Sequence, residues 1–191
     1  HGKGYITSFC LNSDELKGIK EAIKEQWLYR IQISSPRCIS KIFKDGISIR
    51  NYHLISDKLD HANIWNKTSR ILPNSFVENF LLYSFCDEIK RTFGEFIISD
   101  EDDLGWPNIY WRIVRPNEKS DIGPLHRDSW FWDLNESFPK PNYKFRRIKI
   151  WIPICTEIGL NGLLVEKGSQ KRDDIKWKGE YRNGIQKPVL L

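Results

Sequence analysis

The chain has 191 residues, of which 40% are hydrophobic and 29% are charged. This length fits one domain, and this composition excludes a disordered, collagenous or low-complexity protein. Lysine and arginine outnumber aspartate and glutamate by 30 to 25, so the formal net charge of +5 weakly favours an anionic partner.

The apolar stretches and the cysteines predict the cellular compartment of the protein. Every apolar stretch is shorter than the roughly 18 residues that suggest a membrane helix, and no secretory signal is visible at the N-terminus. The four cysteines are far apart and form no CxxC pair, so neither a zinc ribbon nor a redox dithiol is predicted. We therefore expect a cytoplasmic protein with reduced cysteines and no membrane span.

The N-terminal half, residues 1–94, is predicted to be mainly helical. Apolar residues recur at three-to-four spacing over Asn12–Tyr29, and an asparagine or serine at the start of this segment can cap the helix. Leu54–Ile64 shows a weaker helical pattern, and Ser75–Phe93 shows a stronger one that Gly94 ends.

The pattern changes after Gly94, and residues 95–191 are predicted to form short strands. Apolar and polar residues alternate in several segments that are separated by glycine or proline turns. The predicted strands are Pro107–Arg115, Leu125–Trp132, Arg146–Ile154 and Leu163–Val165. Helices followed by strands favour an α+β fold with a sandwich or barrel core, in one domain over residues 1–191.

The pair His126 and Asp128 is the candidate metal site. On a strand, residues two apart point to the same face, so the imidazole and the carboxylate would project together. These donors suit Fe(II) when a second histidine completes a facial triad, which leaves three positions for a 2-oxo acid and dioxygen. The alternative is that the two side chains only bond each other or lie on a polar face.

Five segments around this pair stand in a characteristic order. They are Arg115-Pro116-Asn117, His126-Arg127-Asp128, Lys149-Ile150-Trp151-Ile152-Pro153-Ile154, Asn161-Gly162-Leu163-Leu164 and Lys167-Gly168-Ser169-Gln170. Together they resemble the phytanoyl-CoA dioxygenase family of Fe(II)- and 2-oxoglutarate-dependent oxygenases. They are similar to its turn before the metal strand, its HxD pair, its Trp-containing strand and its NGxL…PGSH signature, with lysine for proline and glutamine for histidine in the last.

The resemblance implies a fold, a reaction and cofactors. The fold would be a double-stranded β-helix (a cupin-like jelly roll) with N-terminal flanking helices. The reaction would be hydroxylation of a small-molecule substrate by a dioxygenase that uses Fe(II) and the co-substrate 2-oxoglutarate. His126 and Asp128 would bind the metal. Neither the residues nor the resemblance predicts the substrate itself or an oligomeric state.

Further side chains are candidates for the same site. Lys149 and Trp151 share one face of a predicted strand, whose isoleucine face we expect to pack on the helices. Tyr110 and Arg112 share a face of the preceding strand. The candidates for binding 2-oxoglutarate are therefore Lys149, Tyr110 and Arg112. The alternative is that Lys149 is a solvated surface lysine and that Tyr110 and Arg112 belong to an ordinary salt bridge inside the barrel. Trp151 and Trp130 are candidates for binding the substrate.

The family's second metal histidine, and the basic residue that binds the distal carboxylate of 2-oxoglutarate, lie on later strands. The remaining histidines, His1, His53 and His61, all precede His126, and we interpret His53 and His61 as surface or satisfied polar residues. We therefore expect either that the jelly-roll core is incomplete at the C-terminus of this sequence, or that the protein is not a competent iron enzyme.

Two other classes of protein stay open. One is a non-catalytic jelly-roll module in which Trp130, Trp132 and Trp151 stack on a carbohydrate or another ligand. The other is a nucleic-acid binder that uses the basic cluster Lys140–Lys149, which the dispersed charge of the chain disfavours.

Overall fold

The computed structural model describes residues 2–134, 146–157, 159–182 and 185–191. The chain divides into two compact units. The first, Thr7–Asp121, is the helical unit, and the second joins His1–Ile6 to Ile122–Leu191 and is the C-terminal unit. The prediction of a single domain, with its helical part ending at Gly94, stays a prediction; in sequence, the two compact units change over after Ile6 and after Asp121.

The helical unit contains five α-helices, which several 3-10 turns connect. The helices are α1 (Ser13–Ser34), α2 (Pro36–Lys44), α3 (His61–Ile64), α4 (Asn74–Phe80) and α5 (Ser84–Phe93). The 3-10 turns are Ile49–Leu54, Ser56–Lys58, Thr68–Arg70 and Lys119–Asp121.

The predicted first helix is confirmed, and it continues to Ser34. The side-chain oxygen of Asn12 accepts hydrogen bonds from the backbone amides of Asp14 at 3.0 Å and Glu15 at 2.9 Å. The Glu15 carboxylate accepts the backbone N–H of Asn12 at 2.9 Å, which completes a capping box. The buried stripe of α1 is Ile19, Ile23, Trp27 and Ile31, at the four-residue spacing that the sequence shows.

The other predicted helices differ from the structure in their bounds. Leu54–Ile64 consists of 3-10 turns and the short α3, and α2 was not predicted. The prediction of one helix over Ser75–Phe93 is wrong, because α4 ends at Phe80 and the backbone at Tyr83 is extended, with ψ of 145°. The second helix begins there because the Glu15 carboxylate accepts the Phe85 amide at 3.2 Å, a long-range contact that periodicity does not reveal.

Aromatic rings fill the centre of the helical unit. Tyr52 is 1% exposed and meets the rings of Trp27 and Trp65 edge-on. Trp65 in turn lies 5.2 Å from the ring of Trp111. Edge-to-face pairs of this kind add about 0.5–1.5 kcal/mol each to the burial of their surface.

The C-terminal unit contains helix α6 (Asp128–Leu134), a 3-10 turn (Ser169–Lys171) and a hairpin. The hairpin pairs β1 (Trp177–Arg182) antiparallel with β2 (Ile185–Leu190), and Trp177 lies opposite Leu190. Trp130 on α6 stacks on Trp177, with ring centroids 5.3 Å apart and planes 12° apart. Helix α6 and the hairpin are therefore packed together by apolar side chains.

The predicted strands of this region are not seen as a sheet. Leu125–Trp132 as a strand is wrong, because α6 begins at Asp128. Trp130 and Leu134 lie four residues apart and both meet the hairpin, so helical spacing serves the packing better than alternation does. Among the described residues, Pro107–Arg115 belongs to no ladder and makes one isolated bridge, from Tyr110 to Ile71.

The remaining strand predictions fall in irregular backbone. Arg146–Ile154 and Leu163–Val165 belong to no ladder in the described ranges. Ile148 and Ile150 are about half exposed, so the expected packing of an isoleucine face is not observed, since no sheet imposes the alternation. The sheet formed by the described residues has two strands, and the double-stranded β-helix stays a prediction. No helix in the described part of the chain is long and apolar enough to cross a membrane.

Candidate metal centre

The two predicted metal ligands lie beside each other in the C-terminal unit. His126 follows a Gly-Pro turn, and Asp128 is the first residue of α6. Nε2 of His126 lies 3.6 Å from Oδ1 of Asp128. Metal–nitrogen and metal–oxygen bonds are about 2.0–2.2 Å for a divalent ion such as zinc, so one ion between the two atoms could touch both.

The geometry leaves one nitrogen of His126 available. Nδ1 lies 2.6 Å from the carbonyl oxygen of Pro124, which can only accept a hydrogen bond. The hydrogen of the neutral imidazole is therefore on Nδ1, and the lone pair is on Nε2, facing Asp128. A backbone carbonyl that fixes the tautomer in this way is the usual partner of a metal-binding histidine.

The pKa values of the pair reflect their contact. The neighbouring Asp128 carboxylate raises the pKa of His126, because it stabilises the protonated imidazolium, although burial and the charge of Lys149 oppose this shift. Conversely, the neighbouring His126 lowers the pKa of Asp128 against the effect of burial, and the charge of Lys149 lowers it further. The Asp128 side chain is therefore a carboxylate at neutral pH, as a metal ligand must be.

Lys149 is the third predicted site residue that influences the His126–Asp128 pair. Its positive charge acts on both His126 and Asp128, and its side chain is exposed. The ring of Phe131 meets the imidazole of His126 edge-on, with centroids 4.9 Å apart, and covers one side of it. The described residues thus place an imidazole and a carboxylate together beside one aromatic ring, and the charge of Lys149 acts on both.

Tyr110 and Arg112 lie in the helical unit and already have partners there. The Tyr110 hydroxyl donates to the Asp102 carboxylate, and burial together with that carboxylate raises the pKa of Tyr110. Arg112 donates to the backbone carbonyl of Asp121. Their predicted role in binding 2-oxoglutarate stays a prediction.

The predicted substrate-binding tryptophans differ in exposure. Trp130 is 5% exposed, between the ring of Trp177 and the guanidinium of Arg127. Trp151 is 45% exposed, with its ring close to Gly162. Trp151 is therefore free to meet a ligand, whereas Trp130 holds α6 against the hairpin.

The sequence did not predict a polar chain inside the helical unit. Nε1 of Trp65 donates to the hydroxyl oxygen of Tyr52 at 3.0 Å, and that hydroxyl lies 3.1 Å from Nδ1 of His61. Nε2 of His61 is 3.6 Å from Oδ1 of Asp121, whose carboxylate binds the Arg115 guanidinium at 2.8 and 2.9 Å. His61 is thus the satisfied polar residue that we expected, and His53 is exposed.

The Asp121 carboxylate is the ionised acid of this hydrogen-bonded series, and it lies between His61 and Arg115. Burial opposes its ionisation, but the Arg115 side chain and backbone amide outweigh burial and hold the pKa of Asp121 at about 2. Burial lowers the pKa of His61, and the charge of Arg115 lowers it further. A carboxylate six residues after an arginine is the only sequence signal for this pair, and it is too common to be specific.

Two further findings concern the predicted metal site and the predicted nucleic-acid site. Among the residues that the structure describes, no group of three or more His, Cys, Asp or Glu side chains could hold a metal ion. Lys140 and Lys144, which belong to the basic cluster proposed for nucleic acids, lie outside the described residues.

Comparison with known proteins adds no relative. No protein-family model, curated protein or solved structure matches the chain. The resemblance to the phytanoyl-CoA dioxygenase family therefore stays a prediction from the sequence motifs.

Proposed function

We propose that the protein is a non-haem Fe(II)- and 2-oxoglutarate-dependent oxygenase that hydroxylates a small molecule. The observation that carries the proposal is the pairing of His126 Nε2 with Asp128 Oδ1 at 3.6 Å, with Nδ1 of the same imidazole held by the Pro124 carbonyl. An imidazole and a carboxylate are two of the three protein donors of a facial triad, so His126 and Asp128 supply part of the donor set that Fe(II) takes.

The charge around this pair supports an anionic co-substrate. Residues 1–6 and 122–191 contain 14 Lys and Arg against 8 Asp and Glu, a net charge of +6. Residues 7–121 contain 16 against 17, a net charge of −1. The positive charge of the protein therefore resides in the unit that contains His126, where a dicarboxylate would be attracted.

Each residue of the site has a distinct role in the proposed oxygenase. The Pro124 carbonyl orients His126, and Phe131 shields one side of the imidazole from water. Lys149 attracts a carboxylate of 2-oxoglutarate, and Trp151 offers an exposed ring to the substrate. Bound Fe(II) with 2-oxoglutarate would supply the oxidising chemistry of the hydroxylation.

The test is formation of succinate from 2-oxoglutarate in air, with Fe(II), ascorbate and candidate small-molecule substrates. His126→Ala and Asp128→Ala are each expected to abolish turnover. Lys149→Met is expected to raise the KM for 2-oxoglutarate more than it lowers kcat, because a point charge binds the co-substrate before and during the reaction alike. Lys176→Met, which removes an exposed lysine of the same unit, is the matched control and is expected to change neither value.

The outcomes also separate the alternative classes. The oxygenase is rejected if the protein binds no metal by calorimetry and forms no succinate with any substrate. Tight carbohydrate binding that Trp151→Ala removes would then favour the binding module, which the exposure of Trp151 alone supports. Binding to RNA or DNA that weakens steeply with salt would favour the nucleic-acid binder.

A further inference from the structure

Arg127, between the two candidate ligands, is anchored to a distant turn. Its guanidinium donates to the backbone carbonyls of Ser169 and Arg172. The same guanidinium lies over the Trp130 ring, 5.7 Å from the ring centre. One side chain thus joins the HxD segment to a second segment more than forty residues later.

The turn that receives Arg127 is itself well defined. Gly168 has a φ of 81°, which favours glycine, and a 3-10 turn over Ser169–Lys171 follows it. The backbone N–H of Gly168 donates to the carbonyl of Lys3 at 3.0 Å. A planar guanidinium with five donors can bridge two carbonyls at a fixed angle, which a lysine ammonium does less well.

The anchor has a direct consequence for its neighbours. Arg127 is bonded covalently to both His126 and Asp128, so fixing its side chain restricts the backbone that carries the two ligands. The approach of Nε2 to Oδ1 at 3.6 Å then does not depend on those two side chains alone. A metal site gains affinity when its ligands are already held in place before the ion binds.

We propose that Arg127 is a positioning residue, which holds His126 and Asp128 in the arrangement that binds a divalent cation through its contacts with the Ser169–Arg172 turn. This inference rests on the proposed function, because it concerns the same metal ligands. Residues that orient metal ligands in this way typically contribute about 10- to 100-fold in metal affinity.

The experiment measures the dissociation constant of Mn(II), by the EPR signal of the free ion, in the full chain and its variants. Arg127→Met is expected to weaken Mn(II) binding by about tenfold or more, and Arg127→Lys to recover part of that loss. Loss of a positive charge would by itself strengthen cation binding, so weaker binding cannot be an effect of charge.

Arg172→Met is the matched control. The exposed Arg172 side chain pairs with Glu166 at 3.1 Å and Asp174 at 2.7 Å, while its backbone carbonyl stays available to Arg127. This variant removes one positive charge, as Arg127→Met does, but keeps the backbone carbonyl that Arg127 contacts, and it is expected to bind Mn(II) as the wild type does. If circular dichroism shows that Arg127→Met is unfolded, the Mn(II) affinity of Arg127→Lys tests the positioning role instead. That variant is expected to bind Mn(II) several-fold more weakly than the wild type.

Two results would overturn different claims. Wild-type affinity in Arg127→Met, or in Arg127→Lys if the first variant is unfolded, rejects the positioning role while the metal site stands. Wild-type affinity in His126→Ala, or no binding of Mn(II) to the wild type, rejects the proposed metal site and the positioning role with it.

Discussion

His61 illustrates how burial fixes the state of a single titratable side chain. The Tyr52 oxygen accepts the Trp65 indole N–H, so the Tyr52 hydroxyl hydrogen is free to be donated to Nδ1 of His61. That arrangement requires a neutral imidazole. The nearby charges are Arg115, Arg70, Asp121 and Glu118, and burial together with Arg115 outweighs the two carboxylates, so the pKa of His61 is lowered.

The lowered pKa predicts how stability depends on pH. Below the ordinary histidine pKa of about 6.5, the unfolded chain takes up a proton that folded His61 resists, so stability falls as pH decreases through that value. His61→Gln should make this loss smaller, because glutamine does not titrate. Urea unfolding at about pH 7.5 and about pH 5.5 measures it. His53→Gln, at an exposed position, is the control, and an equal effect of the two substitutions would contradict the assignment.

At the same scale, the sequence located part of the candidate site. The spacing of His126 and Asp128 predicted that the two side chains lie together, and their atoms are 3.6 Å apart. The role of Lys149 stays a prediction, because the strand alternation on which it rested is not observed in the described residues. Strand alternation predicts both ligands on one strand, whereas His126 precedes helix α6 and Asp128 begins it. Arg127 was missed because its partners are the carbonyl oxygens of a distant turn, and backbone groups leave no mark in the sequence.

At the scale of elements, one carboxylate joins two helices. Glu15 in the first turn of α1 accepts the backbone N–H of Asn12, the hydroxyl of Ser84 at 2.8 Å and the backbone N–H of Phe85 at 3.2 Å. The last two lie at the start of α5, so Glu15 accepts one backbone N–H near the N-terminus of each helix. This contact explains why α5 begins at Ser84.

Removal of this carboxylate should be costly. Glu15→Ala is expected to lower the free energy of unfolding by about 2 kcal/mol, because it leaves buried donors without an acceptor. Glu21→Ala, further along α1, removes an exposed carboxylate that lies 3.9 Å from Lys17 and should cost about 0.5 kcal/mol or less. Chemical denaturation compares the two. A similar loss in both variants would show that Glu15 does not join the helices.

The helix with a long, regular stripe of apolar residues was predictable from the sequence, whereas the short helices were not. α1 has a regular four-residue repeat and a capping box within its own sequence. The break between α4 and α5 depends on Glu15, 70 residues away from Phe85. Likewise α6 is helical because Trp130 and Leu134 both meet the hairpin, a partner that the local pattern does not include.

For the whole molecule, the two units differ in how much apolar surface they bury. The buried hydrophobic side chains of the helical unit include Trp27, Ile31 and Tyr52 at its centre. In the described part of the C-terminal unit, Trp130 and Pro188 are buried, while Leu160, Leu163 and Leu164 are exposed. Burial of apolar surface is the main favourable contribution to folding, so the helical unit should be the more stable of the two.

Hydrogen exchange followed by mass spectrometry measures this difference directly. Amides of α1 and α5 are expected to exchange most slowly, and those of residues 159–176 most rapidly, because local opening is easiest where few apolar contacts must be broken. Addition of Mn(II) should slow exchange around His126 and leave α1 unchanged. Equal protection of the two units would contradict the difference in stability inferred from burial.

The central claim is that His126 and Asp128 together bind one divalent metal ion, and the histidine ring signals in the proton NMR spectrum test it most directly. Mn(II) broadens nearby signals even when it binds weakly, and His53 and His61 serve as internal references. We predict that low concentrations of Mn(II) broaden the His126 signal first, and that Asp128→Asn removes this preference. Broadening of His126 no greater than that of the exposed His53, or unchanged in Asp128→Asn, would contradict the account.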